Sequence, residues 1–72
     1  AHVGRVSEVG TLASALAHEL NQPLTAIANY CEAARDLLAS PPDGEALAMV
    51  REALAEAAQQ SVRAGQIVRR LR

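Results

Sequence analysis

The chain has 72 residues, which is enough for one small domain and too few to bury a stable core without a staple or a partner. Half of the residues are hydrophobic, Cys31 is the only cysteine, and no Cys/His cluster offers a metal site, so a disulfide or a structural metal is excluded as the staple. The net charge of −1 argues against nucleic-acid binding, and no apolar stretch is long enough for membrane insertion, so we expect a cytoplasmic protein.

The composition predicts an all-α fold. Alanine and leucine dominate, Phe and Trp are absent, and no run of β-branched residues could build a sheet. The one concentrated break is "SPPDG", which predicts a helix over about 5–39, a loop over about 40–44 and a second helix over about 45–71. Asp43 is the predicted N-cap of the second helix. Residues 1–72 are therefore interpreted as one domain, an antiparallel two-helix hairpin.

Both arms carry apolar residues at alternating spacings of three and four, the pattern of a heptad seam. In the first arm the seam is Val6, Val9, Ala13, Leu16, Leu20, Pro23, Ile27, Tyr30, Ala34 and Leu37. In the second arm it is Leu47, Val50, Leu54, Ala57, Ser61, Ala64, Val68 and Leu71. A lone hairpin leaves one side of each seam uncovered, so we expect a homodimer that forms a four-helix bundle.

The first helix carries a polar group in the stretch "ALAHELNQPL", residues 15–24. If Val6 is a heptad a position, His18 falls at f, the position farthest from the core. Glu19 is adjacent, Gln22 lies one turn further along the same face, and Asn21 is nearby. This clustering favours a functional histidine over an indifferent surface residue.

Pro23 follows the group directly. It cannot donate a hydrogen bond to the carbonyl of Glu19, and its ring crowds that carbonyl. We therefore expect a bend in the helix at Pro23. A local distortion beside a reactive side chain is typical of functional sites. The alternative is a kink that the helix tolerates and that has no functional role.

Three kinds of chemistry could use a histidine at this position. A zinc hydrolase helix needs H-E-x-x-H, and "HELNQ" has Gln22 where the second histidine belongs, so no metal site is predicted. A Ser-His-Asp site needs a pocket that a bundle of this size does not offer. Phosphoryl acceptance needs an exposed neutral imidazole with a carboxylate beside it, and His18 with Glu19 meets that need.

The stretch "ALAHELNQPLTAIANY" resembles the phosphoacceptor box of the sensor histidine kinases of two-component signalling, and most of all their FixL-like members. It lies in their dimerisation and histidine phosphotransfer domain, and "RAGQIVRRLR" is similar to the end of that domain. The resemblance implies that His18 accepts the γ-phosphoryl group of ATP and passes it to an aspartate of a response regulator. It implies that Glu19 assists proton removal. Gln22 replaces the threonine or asparagine that positions water for a phosphatase reaction in many members.

The resemblance also implies partners. They are a second copy of the chain, an ATP-binding catalytic domain that carries ATP and Mg²⁺, and the receiver domain of a response regulator, which is expected to contact Asn21, Gln22 and Thr25. The asparagine-rich and glycine-rich boxes of the catalytic domain are missing from these 72 residues. We therefore expect this fragment to hold no cofactor and to be inactive alone, although it is part of a kinase.

Two alternatives stay open on the sequence. The chain could be a purely structural helical-hairpin dimerisation module in which His18, Glu19 and Gln22 are ordinary solvated residues. The basic end, with Arg69, Arg70 and Arg72, could contact nucleic acid or lipid, but arginines in a last helical turn more often complement the helix dipole.

Overall fold

The computed structural model describes the backbone of residues 2–70 and the side chains of residues 10–70. Two helices, α1 (His2–Leu37) and α2 (Gly44–Arg69), pack against each other in antiparallel directions, and no strand occurs in the described part. The predicted all-α hairpin is confirmed. The seam positions Val6, Val9 and Leu71, and the basic residue Arg72, lie outside the residues whose side chains are described.

The turn between the helices follows from its prolines. α1 ends two residues before the predicted position of about 39. The amide of Leu38 still donates to the carbonyl of Ala34 at 3.2 Å, which closes the last turn. Ser40 precedes Pro41, and the residue before a proline is sterically kept out of the helical region. The chain therefore leaves the helix here and reverses direction.

α2 begins with a side-chain cap. Asp43 has extended backbone angles, φ −84° and ψ −177°, and its Oδ1 accepts a hydrogen bond from the amide of Ala46 at 2.8 Å. This bond satisfies one of the amides that the first turn of a helix leaves without a partner. The predicted N-cap is confirmed.

The interface between the helices is built mainly from small residues. Near the loop, Tyr30 and Leu37 pack on a buried cluster that comprises Ala34, Val50 and Ala53. Toward the other end, the largest fully buried side chains are Pro23 and Ile67. Alanines at the contact let the helix backbones approach closely, but they bury little apolar area.

α2 turns a different face toward α1 than its seam predicts. Val50 and Ala57 point inward as expected, whereas half of the predicted seam is exposed, namely Leu47, Leu54, Ser61 and Val68. The buried positions are instead Ala53 and Ile67, one residue earlier in each case. In a hairpin each helix has a single neighbour, so the residues that face this neighbour directly are buried. The a and d positions of a bundle lie between two neighbouring helices, so in the hairpin they are rotated away from the contact.

The hairpin is long and thin. Its radius of gyration is 17.8 Å, whereas a compact domain of this length has a radius of about 11 Å. Its accessible surface is 5624 Å², against about 4300 Å² for a compact monomer of this mass. A large surface therefore remains open to partners. Within the described residues, neither helix combines the length and the apolar character that a bilayer span requires.

Candidate functional site

His18 projects away from α2. It is exposed, whereas Leu16 and Leu20, two residues to either side, are half-buried and line an apolar cavity with Ile67. Residues two apart in a helix face nearly opposite directions, since each step turns the chain by about 100°. The outward position predicted for His18 from the heptad pattern is therefore found in the structure.

His18 lies in a shallow depression of about 320 Å³ on α1 that is lined by residues with polar side chains. Its lining is completed by the three exposed residues Asn21, Gln22 and Thr25. These residues follow His18 by three, four and seven positions, so they share its face of the helix. The depression is open to solvent and His18 is exposed, so the imidazole is accessible to a protein-sized partner.

Glu19 points toward α2 and is half-buried. Its carboxylate Oε1 accepts a hydrogen bond from Nη2 of Arg70, 2.5 Å away, and the two charges form an ion pair. In the part of the chain that the structure describes, Glu19 makes no hydrogen bond with His18. No local sequence pattern links Arg70 to this site, because 51 positions separate it from Glu19.

Pro23 is fully buried in the helix interface, and α1 continues through it as an α-helix. A proline has no amide hydrogen, so the carbonyl of Glu19 lacks its usual helical donor. Pro23 thus lies one turn after the acidic residue of the site. The bend at Pro23 stays a prediction.

An exposed apolar surface runs along one flank of the hairpin, and we call it the apolar stripe. Each member directly follows an inward-facing position and is exposed in the hairpin: Leu24, Cys31, Leu38, Leu47, Leu54 and Val68. One residue is a rotation of about 100° in the same sense on both helices. Because the helices are antiparallel, this offset brings both rows to the same flank. The thiol of Cys31 is therefore exposed on this flank.

The opposite flank carries a groove of about 450 Å³ near the loop. Its walls are mixed in character and include Tyr30, Leu37, Met49, Glu52 and Glu56. It shares no residue with the apolar stripe. In residues 10–70, no three His, Cys, Asp or Glu side chains converge on a point where they could hold a metal ion.

Comparison with known proteins identifies relatives for almost the whole chain. The family model described as the His Kinase A (phospho-acceptor) domain matches residues 8–72. Sensor protein FixL of Bradyrhizobium diazoefficiens is 58% identical over 71 residues, which are 99% of this chain and 14% of that protein. No solved structure gives a significant match.

Two further relatives are transport sensors. The C4-dicarboxylate transport sensor protein DctS of Rhodobacter capsulatus is 44% identical over 71 residues, 99% of this chain and 10% of that protein. The corresponding sensor DctB of Pseudomonas aeruginosa is 49% identical over 35 residues, 49% of this chain and 6% of that protein. The chain thus spans a small part of the length of the curated relatives that it matches.

Proposed function

This chain belongs to the family of His Kinase A (phospho-acceptor) domains, and from that membership we propose that His18 is the residue that accepts the phosphoryl group. The resemblance of the chain to the dimerisation and histidine phosphotransfer domain of FixL-like sensor kinases is thereby confirmed, and residues 15–30 lie inside the matched segment. The single observation that carries the role of His18 is its position: an exposed imidazole in an open depression, inside the matched segment, with a carboxylate on the next residue.

The proposed reaction uses the neutral imidazole as a nucleophile. The lone pair of one ring nitrogen forms a bond to the γ-phosphorus of ATP, the bond from that phosphorus to the bridging oxygen breaks, and ADP leaves with the electron pair. The other ring nitrogen then carries a proton and a positive charge. Glu19 accepts this proton or stabilises the charge. ATP and Mg²⁺ are held by a separate catalytic domain, which fits a cytoplasmic location.

The second half-reaction passes the phosphoryl group to a response regulator. A carboxylate oxygen of an aspartate on its receiver domain attacks the phosphorus, and the phosphorus–nitrogen bond breaks, so the imidazole leaves as a neutral base after regaining its proton. We propose that the receiver docks on Asn21, Gln22 and Thr25. The proposed contact with these three residues is supported by their proximity to His18, since they line the same depression.

Gln22 is proposed to hold a water molecule when the domain removes the phosphoryl group from its regulator. It is one turn from His18 and exposed, and its amide group both donates and accepts hydrogen bonds. Its side chain is one methylene longer than that of asparagine. The water would therefore sit further from α1 than in family members with a shorter residue.

The chain is also proposed to dimerise through the apolar stripe. Large exposed apolar surfaces on small soluble domains are typical of interaction sites. A second copy supplies the same stripe, so a two-fold axis along the hairpin pairs the two surfaces and completes a four-helix bundle. The thin shape and large accessible surface of the single hairpin support this arrangement.

A direct labelling experiment tests the acceptor role. The chain is mixed with ATP labelled at the γ-phosphoryl group and with a catalytic domain from a sensor histidine kinase, after that domain has been checked on its own acceptor domain. We expect acid-labile, base-stable label on His18. A purely structural dimerisation module would remain unlabelled while the positive control incorporates phosphate.

A further inference from the structure

The ion pair between Glu19 and Arg70 links the two helices at the level of the acceptor site. Arg70 is the C-cap residue of α2, and its side chain crosses to α1. The pair is partly open to solvent, with 37% of the Glu19 side chain and 59% of the Arg70 side chain exposed. It therefore joins the acidic residue of the proposed reaction to the last turn of the other helix.

The direction of this contact matters for His18. Adjacent residues on a helix diverge by about 100°, and side chains at i and i+1 do not face each other. Glu19 uses its carboxylate on the α2 side, while His18 projects into the open depression. To reach the imidazole, the carboxylate has to rotate away from α2. That rotation breaks its hydrogen bond with the guanidinium.

We propose that Arg70 is a positioning residue for the reaction at His18. It holds the Glu19 carboxylate on the side of α1 that faces α2, so that proton removal from the imidazole becomes efficient when the ion pair opens. This inference rests on the proposed role of Glu19. Because Arg70 is the C-cap of α2, a shift of that end of α2 relative to α1 changes the distance between the two charges and hence the availability of Glu19.

The strength of the pair suits this role. Exposed ion pairs of one arginine and one carboxylate are weak, so the closed arrangement is favoured over the open one by about two- to fivefold. Arg70 thus favours the orientation of the Glu19 carboxylate toward α2, but it still allows the carboxylate to rotate toward His18. Loss of the pair should raise the rate of phosphoryl acceptance by no more than this factor.

The test measures labelling of His18 with a separately supplied catalytic domain in five variants. Arg70→Gln removes the cation, Arg70→Lys keeps it, and Arg69→Gln removes the neighbouring cation, for which the described residues offer no ion-pair partner. The fourth variant is Glu19→Gln alone, and the fifth combines Glu19→Gln with Arg70→Gln. The rate is followed against the concentration of the catalytic domain, so that the maximal rate and the half-saturating concentration are obtained separately.

We expect Arg70→Gln to raise the maximal rate about two- to fivefold and to leave the half-saturating concentration unchanged. Arg70→Lys and Arg69→Gln should match the unmodified chain. In the Glu19→Gln background, Arg70→Gln should have no effect, because a residue that acts through Glu19 is silent once the carboxylate is gone. A merely structural ion pair would change the unfolding temperature without this dependence on Glu19.

Each contrary outcome has a distinct meaning. If Glu19→Gln slows labelling but Arg70→Gln changes nothing, slows it further, or acts equally in both backgrounds, the positioning role is overturned and the acid–base role stands. If Glu19→Gln does not slow labelling at all, the proposed function of Glu19 fails, and the role of Arg70 fails with it.

Discussion

At the scale of single residues, the roles proposed for His18 and Glu19 can be separated by mutation. His18→Gln removes the nucleophile, so it should abolish labelling. Glu19→Gln keeps the shape and one oxygen of the side chain but removes the charge that assists proton removal. It should slow labelling by about 10²-fold or more, the usual size of acid–base assistance. The measurement is a time course of phosphohistidine formation with the catalytic domain in trans.

The second half-reaction provides the control for this prediction. Transfer from phosphorylated His18 to a receiver domain makes imidazole the leaving group, so it depends less on proton removal. Glu19→Gln should therefore affect transfer less than labelling, while the dimer remains intact. Equal slowing of both half-reactions would mean that Glu19 has some other task beside His18.

At the scale of a helix, the start of α2 depends on one hydrogen bond. Asp43→Ala removes the acceptor of the Ala46 amide and should lower the free energy of unfolding by about 1 kcal/mol. Asp43→Ser retains a capping oxygen and should lie close to the unmodified chain. Urea unfolding at a fixed protein concentration measures both variants. Equal stability of the alanine and serine variants would show that this cap contributes little.

At the scale of the whole molecule, the apolar stripe is the proposed dimer interface, and mutations on it test whether the chain is a dimer. Leu54 and Met49 are equally exposed in the single hairpin, at 51% and 50%, but Leu54 is on the stripe and Met49 lines the groove on the opposite flank. Leu54→Gln should raise the dimer dissociation constant by about 10²-fold or more. In a symmetric dimer each subunit carries the substitution, so the buried apolar area of two leucine side chains is lost. Met49→Gln is the matched control and should leave the constant unchanged.

Sedimentation equilibrium at micromolar concentrations measures both constants. A well-folded monomer for the unmodified chain would overturn the four-helix bundle. Equal weakening by Leu54→Gln and Met49→Gln would place the dimer interface elsewhere on the hairpin.

The proposed docking of a response regulator also belongs to this scale, since the receiver domain would contact a surface of the proposed bundle. Addition of a receiver domain that accepts phosphate from the labelled chain should shift the amide resonances of Asn21, Gln22 and Thr25. These residues surround His18, and the receiver aspartate must approach its ring. Shifts confined to the loop at residues 38–43 would contradict this docking surface.

Local chemistry determined much of this protein from the sequence alone. The proline-rich break at residues 40–44 predicted where the chain reverses, Asp43 predicted the cap, and the heptad pattern predicted that His18 faces outward. These features depend on neighbours within a few residues or on the 3.6-residue period of a helix, so they can be predicted without knowledge of the tertiary structure. The acceptor box was legible for the same reason, because it occupies one continuous stretch of α1.

Tertiary structure decided what depends on the second helix. Leu54 is more hydrophobic than Ala53, so hydrophobicity alone would place Leu54 in the interface. In the structure Ala53 faces α1 and Leu54 is exposed. Close contact between the two helix backbones favours the smaller side chain, and the larger one stays available for another partner. The pairing of Glu19 with Arg70 likewise has no sequence signal across 51 positions. Only the relative placement of the two helices brings that carboxylate to that guanidinium, and so sets which way the acidic residue beside His18 points.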